Sequence, residues 1–323
     1  MHPLSDSIPS GTPGSARFAA LPGLRVLAAS GDDTLAFLHG QLTQDVTGLP
    51  PDAARFAGYC TAKGRLLATL VMWRGQPEGW RALVRADLAE SLLKRLSMFV
   101  LRAKVKFSLP ELAVAGISAQ AEDIPALAQA AGGDLPTAPW ALAELPSGTW
   151  IAAPGAQRRW WWIASPEQLA SHGAALAARL SHGDEQSWQA ADLAAGLPWI
   201  SAATQDLFIP QTVNLELIDG VSFTKGCYPG QEVVARSHYR GTVKRRMALG
   251  TTALPAAAPG TDVYDAAQEG GEPVGRVVDA AGAGEQAWLL FETTLAALPA
   301  GQLRVGAADG PAITLQALPY AIN

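Results

Sequence analysis

The chain has 323 residues, a net charge of -5, 49% hydrophobic residues and 16% charged residues. That length exceeds what one hydrophobic core ordinarily fills, so two or more lobes are expected, and the composition excludes a disordered chain. The mild negative charge excludes nucleic-acid binding through overall charge, leaving only a local basic patch to do it.

In chain order, the opening MHPLSDSIPSGTPGSARFAALPG is rich in Pro, Gly and Ser and lacks the apolar run of a signal peptide, so residues 1–20 read as a flexible N-terminus. GDDTLAFLHGQLTQDV places Leu35, Leu38, Leu42 and Val46 at helical spacing, with Gln41 and Asp45 on another face, and predicts a short amphipathic helix. RFAGYCTAKGRLLATLVMW predicts a β-hairpin bending at Lys63 and Gly64. A second helix is expected from Asp87, with Leu88, Leu92, Leu96 and Phe99 on one stripe, followed by the alternating VKFSL. After the breaker-rich AGGDLPTAPW come the aromatic strand RRWWWIA, a helix starting at Ser165-Pro166-Glu167, and another from Asp184 to Gly196. Trp160, Trp161 and Trp162 read as core and packing residues. TTALPAAAPG, residues 251–260, reads as a linker, and the short strands beyond it predict a small antiparallel barrel or sandwich. No segment is long and apolar enough to span a bilayer, so no membrane partner is expected.

The two cysteines, Cys60 and Cys227, lie far apart with no CxxC or Cys/His spacing. Neither a disulfide framework nor a stably bound metal is expected, and a reduced, cytoplasmic setting follows. Cys60 reads as a small buried hydrophobe. Cys227 lies in FTKGCYPGQEVVARSHYRG, where Lys225 and a following helix start are both features that stabilise a thiolate. Tyr228-Pro229-Gly230-Gln231 has the residues of a type II turn, with Pro229 second and Gly230 third, which needs positive φ. Glu232 and Arg236 are spaced to pair along the helix. A structural cysteine beside a joining turn is the alternative. The basic residues Arg236, Arg240, Lys244, Arg245 and Arg246 suit an anionic ligand group, RNA or a solvated face.

The run KGCYPGQE (residues 225–232) resembles the defining motif of the YgfZ family of folate-binding proteins. These are relatives of the glycine-cleavage aminomethyltransferase, or T-protein, and are linked to iron-sulfur enzyme maintenance and tRNA modification. FLHGQLTQDV, GYCTAKGRLLAT, LAAGLPWI, the block FIPQTVNLELIDGVSFTKGCYPGQEVVARSHYRG and GEPVGRVVD are similar to the family's other shared segments and extend the resemblance over nearly the whole chain after the N-terminal tail.

The resemblance implies an α+β, three-lobed aminomethyltransferase-like fold around a central folate channel. Residues 21–245 would form two α+β lobes and residues 246–323 a small C-terminal β-barrel. Tetrahydrofolate or a derivative is the implied cofactor, with Gln211, Asn214, Glu216 and Arg236 as candidate ligands and Cys227 and Lys225 as the reactive pair. Gly226, Tyr228, Gly230, Gln231 and Glu232 complete the motif. The transferase's hairpin aspartates correspond here to Ala68 and Thr69, which cannot ionise, and this departure argues against glycine cleavage. Its Glu before Ala-Gly corresponds to Ala194, with Asp192 or Glu216 as substitutes.

Three functions follow as expectations. The first is a folate-binding accessory protein for iron-sulfur cluster assembly or repair, with iron-sulfur proteins or assembly factors as partners. The second is a folate-dependent one-carbon transferase acting on tRNA or protein, and the third is a thiol redox protein. Four ligands, usually thiolates, hold a conventional cluster, so two scattered cysteines cannot supply a resident one unless two subunits or an external thiol share it.

Overall fold

Strands with apolar residues facing inward dominate the computed structural model, which describes residues 16–75, 79–239, 243–253, 255, 257–268, 271–299 and 302–322. In chain order the first half contains β1 (Arg17–Ala20), β2 (Leu24–Ser30), α1 (Thr34–His39), β3 (Arg55–Cys60), β4 (Leu66–Arg74), β5 (Trp80–Arg85), α2 (Ala86–Met98), β6 (Lys106–Ser108), β7 (Ala113–Ala119) and α3 (Ile124–Ala131). Then come β8 (Leu142–Leu145), β9 (Gly148–Ala152), β10 (Arg158–Ala164), α4 (Pro166–Ala177), β11 (Ser181–His182), α5 (Glu185–Ala194) and α6 (Gln231–Tyr239). The last stretch is strand: β12 (Arg245–Ala253), β13 (Asp262–Asp265), β14 (Gly275–Ala283), β15 (Gln286–Thr294), β16 (Leu303–Val305) and β17 (Thr314–Gln316).

The chain folds as two units built from interleaved segments. The first takes the chain up to Thr34, Gly48–Arg55 and Val71–Trp188, and the second takes Leu35–Thr47, Phe56–Leu70 and everything from Gln189. A further sheet has the strand order β3-β4-β5-β2-β6.

The first unit is organised by the sheet β11-β1-β7-β10-β9-β8. Alternation along β10 sends Trp160 and Trp162 to one face and Trp161 to the other. Trp162 stacks on Trp150 at 5.7 Å, and both join Phe18 and Ile117 under Leu127 of α3 and Leu169 and Leu176 of α4. Trp161 stacks on Trp140 and meets Trp188 of α5 edge-on. All three tryptophans are buried, as core residues should be. α4 begins as its sequence predicts: Ser165 accepts from the Gln168 amide at 3.3 Å while Gln168 Oε1 accepts from the Ser165 N–H, a capping box with Pro166 at the first position.

In the second unit β12 to β17 form one antiparallel sheet ordered β16-β13-β14-β15-β12-β17. It curls around Val263, Val277, Leu289, Phe291, Leu303 and Ile313. β14 and β15 slip register between Val277 and Asp279, a bulge that sharpens the local twist.

Four expectations are corrected. The helix expected to carry Leu35, Leu38, Leu42 and Val46 stops at His39, although Leu42 and Val46 stay buried. The chain is captured instead by the hairpin: Thr43 N–H donates to Gly58 O at 2.9 Å and Leu42 bridges to Tyr59. Tertiary pairing here overrides a helical pattern. Phe99 caps α2 and is 49% exposed rather than joining its buried stripe. The linker expected from residue 251 begins later, because Thr251–Ala253 pair with β15 as part of β12; Leu254 and Ala256 lie outside the described residues. Most of the loose N-terminal stretch, residues 1–15, also lies outside them, but Arg17–Ala20 is strand, paired with β7.

Candidate functional site

Three segments far apart in sequence meet in the second unit. The chain leaving α1 runs from Gly40 to Thr47, the hairpin of β3 and β4 bends at Lys63-Gly64, and the Lys225–Gln231 loop leads into α6. Thr43 ties the first to the hairpin and to the chain just before the loop: its hydroxyl donates to Gly220 O at 2.6 Å and accepts from Gly58 N–H at 2.7 Å, while its carbonyl accepts from Ser222 N–H at 2.9 Å. Gln44 Nε2 also donates to Asp219 O.

Lys225 is the anchor of its loop. Its ammonium donates to the carbonyls of His39, the last residue of α1, where carbonyls lack helical partners and attract cations, and of Leu42 just beyond it, the latter at 2.8 Å. It also lies 4.9 Å from the centre of the Tyr228 ring. Burial pulls its pKa from the ordinary 10.5 down to about 8, against the opposing pull of Asp45 and Cys227, which favour the charged form. Cys227 itself is exposed, whereas Cys60 is buried and its thiol is pushed up to about 12 by desolvation. Tyr228, also buried, has its hydroxyl raised by the same cause.

Tyr228–Gln231 forms the expected turn, with Gln231 N–H donating to Tyr228 O at 3.1 Å and Gly230 at φ 81°. Gly230 lies directly on the hairpin bend. A Cβ there would stand 2.4 Å from Thr61 O and 2.6 Å from Gly64, which is itself at φ 73°. Both bends therefore need glycine for conformation and for close approach. Glu232, at the start of α6, pairs with Arg236 at 2.9 Å on an exposed face.

Gln211, Asn214 and Glu216 come together, and Arg236 does not join them. The Gln211 amide donates to Val234 O at 2.7 Å. Asn214, in the left-handed region at φ 58°, donates to Met247 O at 2.8 Å and accepts from Met247 N–H, fastening its segment to β12. Glu216 forms a buried ion pair with Arg246. Gln211 Oε1, Glu216 Oε2 and Arg246 Nε are buried with no hydrogen-bond partner among the described residues. Tyr320 closes the group, donating to Gly196 O at 3.2 Å; burial raises its hydroxyl to about 12, with the Asn214 hydrogen bond opposing.

Ala68 and Thr69 are buried in β4. The Thr69 hydroxyl donates to Pro198 O at 2.7 Å and accepts from Ile200 N–H at 2.9 Å, so its proton and one lone pair hold the Pro198–Ile200 segment. Asp192 is likewise buried and accepts from Trp199 Nε1 at 3.0 Å.

The basic run at 236–246 is not a single face. Adjacent strand residues Arg245 and Arg246 pair with different acids, Glu292 and Glu216, while Lys244 is exposed and Arg240 lies outside the described residues. His39 was not singled out from the sequence. Its Nδ1 lies 3.0 Å from Asp45 Oδ1, and Thr47 Oγ1 donates to the same carboxylate. Both residues stand in FLHGQLTQDV, but their pairing depends on the chain leaving the helix at Gly40.

No family model matches the chain. A protein of Pectobacterium carotovorum subsp. carotovorum is 34% identical over 217 residues, 67% of this chain and 65% of the relative. One of Yersinia pseudotuberculosis is 33% identical over 225 residues, 69% of this chain and 67% of the relative, and one of Sodalis glossinidius is 34% identical over 229 residues with the same coverage. Each carries the name tRNA-modifying protein YgfZ, and the chain spans about two thirds of their length, just under that for the first. The glycine cleavage system aminomethyltransferase T of Bartonella henselae superposes over 97% of this chain and 91% of its own with a TM-score of 0.73 at 13% identity, a shared fold. On the identity and reach of the sequence matches, the chain belongs to the YgfZ family.

Proposed function

We propose that the chain is a folate-binding accessory protein that supports tRNA modification by aiding assembly or repair of iron-sulfur clusters, using Cys227 and performing no glycine cleavage. The observation that carries this reading is an exposed thiol on a loop whose lysine is fastened to backbone carbonyls, within an aminomethyltransferase fold whose Thr69 hydroxyl is spent on structure. The link to tRNA comes from the name of the relatives. The thiolate is the nucleophilic and iron-binding form of cysteine. With Cys60 buried, the chain offers one accessible thiol, enough for a transient hand-over and too few to hold a conventional cluster alone.

A reduced folate, when bound, supplies a one-carbon unit or reducing equivalents. The unpartnered atoms fit its pterin edge in chemistry: Gln211 Oε1 and Glu216 Oε2 accept and Arg246 Nε donates, complementing the pterin's N–H groups and carbonyl. Each such buried atom costs about 1–3 kcal/mol while unpaired, which a ligand would relieve. Asn214 holds this group in place, and exposed Arg236 suits a glutamate tail.

Calorimetric titration of tetrahydrofolate tests the folate part. Wild-type chain should bind it and Glu216→Gln should bind about tenfold or more weakly, the loss of one charge-assisted hydrogen bond. Absence of binding by a folded wild-type chain removes folate from the account.

A further inference from the structure

A cavity of about 380 Å³ in the second unit is lined by Arg65, Thr212, Arg245, Arg276, Asp262 and Glu292; Thr212 belongs to the segment that carries Gln211, Asn214 and Glu216, but none of those three and no residue of the Cys227 loop lines it. We propose that it is a binding site for a small amphipathic anion, an apolar or aromatic body bearing a phosphate or carboxylate.

The sheet builds its floor. Arg276 is registered opposite both Glu292 of β15 and Asp262 of β13, and Arg245 of β12 reaches Glu292, so charges alternate across four neighbouring strands. Arg245 grips both oxygens of the buried Glu292 and donates a further bond to Val274 O at 2.9 Å. Arg276 places Nε and Nη2 on Asp262 Oδ1 at 2.9 and 2.7 Å. Each carboxylate is thus already held, while an Nη1 group remains on each arginine.

Arg65 adds a third guanidinium from the hairpin bend. Its Nη1 donates to Leu207 O at 2.7 Å and Asp206 O at 3.3 Å, and it meets no carboxylate among the described residues. Its charge is uncompensated, so three guanidiniums face two acids and the lining carries an excess of one positive charge. The arginines are immobilised by bonds on one side and have N–H groups left on the other, which lowers the ordering cost of gripping an anion. Leu207, Ile209 and Pro273 supply an apolar wall. The volume lies within the range of small-molecule sites and the lining is too polar for an empty packing defect.

The full chain is titrated calorimetrically at low salt with phenyl phosphate and, separately, phenylacetate; the tighter binder identifies the head group. Saturable binding is expected, weakened about tenfold or more both in Arg65→Gln, which removes the unpaired charge, and in Pro273→Glu, which adds a carboxylate at an exposed edge of the lining. Pro273→Glu leaves the hairpin tie of Arg65 intact, so it reports on the cavity if Arg65→Gln fails to fold. No saturable binding of either anion by wild type, or undiminished binding by either folded variant, overturns the proposal.

Discussion

Lys225 holds its charge where burial opposes it, and that conflict has a measurable sign. Its folded pKa of about 8 lies below the ordinary 10.5, so between those values the unfolded chain carries a proton that the folded chain has shed. Stability therefore rises with pH across that window. Allowing for solvent screening of a half-buried group, the gain is on the order of 1–2 kcal/mol. Urea unfolding at pH 8 and pH 10.5 should show this rise in the wild type relative to Lys225→Met, and equal pH dependence in the two would refute it. Thr69 shows the opposite economy. Where a carboxylate would bring charge into a buried strand, a neutral hydroxyl donates to one carbonyl and accepts from one N–H.

At the scale of elements, the hairpin and the loop before α6 interlock through two glycines. Gly230→Ala combines an unfavourable positive φ with a Cβ pressed into the backbone of Thr61 and Gly64. It should lower stability by about 2 kcal/mol or more, read from chemical unfolding, and an unchanged midpoint would show that the bends do not depend on each other. The individual bends were legible in the sequence because Lys63-Gly64 and Pro229-Gly230 carry local turn chemistry. Their contact was not, since nothing in either motif names its partner. The same limit explains α1, where Leu42 and Val46 keep helical spacing and are buried beyond the helix end, Leu42 bridging to Tyr59 of the hairpin.

Across the whole molecule, the mixed α/β architecture and family were legible because the motifs extend over most of the chain and the strands carry strong patterns. Site chemistry was less so. Gln211, Asn214 and Glu216 were visible as a polar cluster in sequence, but their partners Val234, Met247 and Arg246 come from other elements, and Arg245 and Arg246 part ways only once β12 fixes their faces. The central claim, that exposed Cys227 is the working group, is tested most directly in cells lacking their own copy of the protein. The readout is the level of tRNA nucleosides made by iron-sulfur enzymes, with the variant's soluble abundance matched to wild type. Cys227→Ser should fail to restore those nucleosides; restoration to the wild-type level would contradict the account.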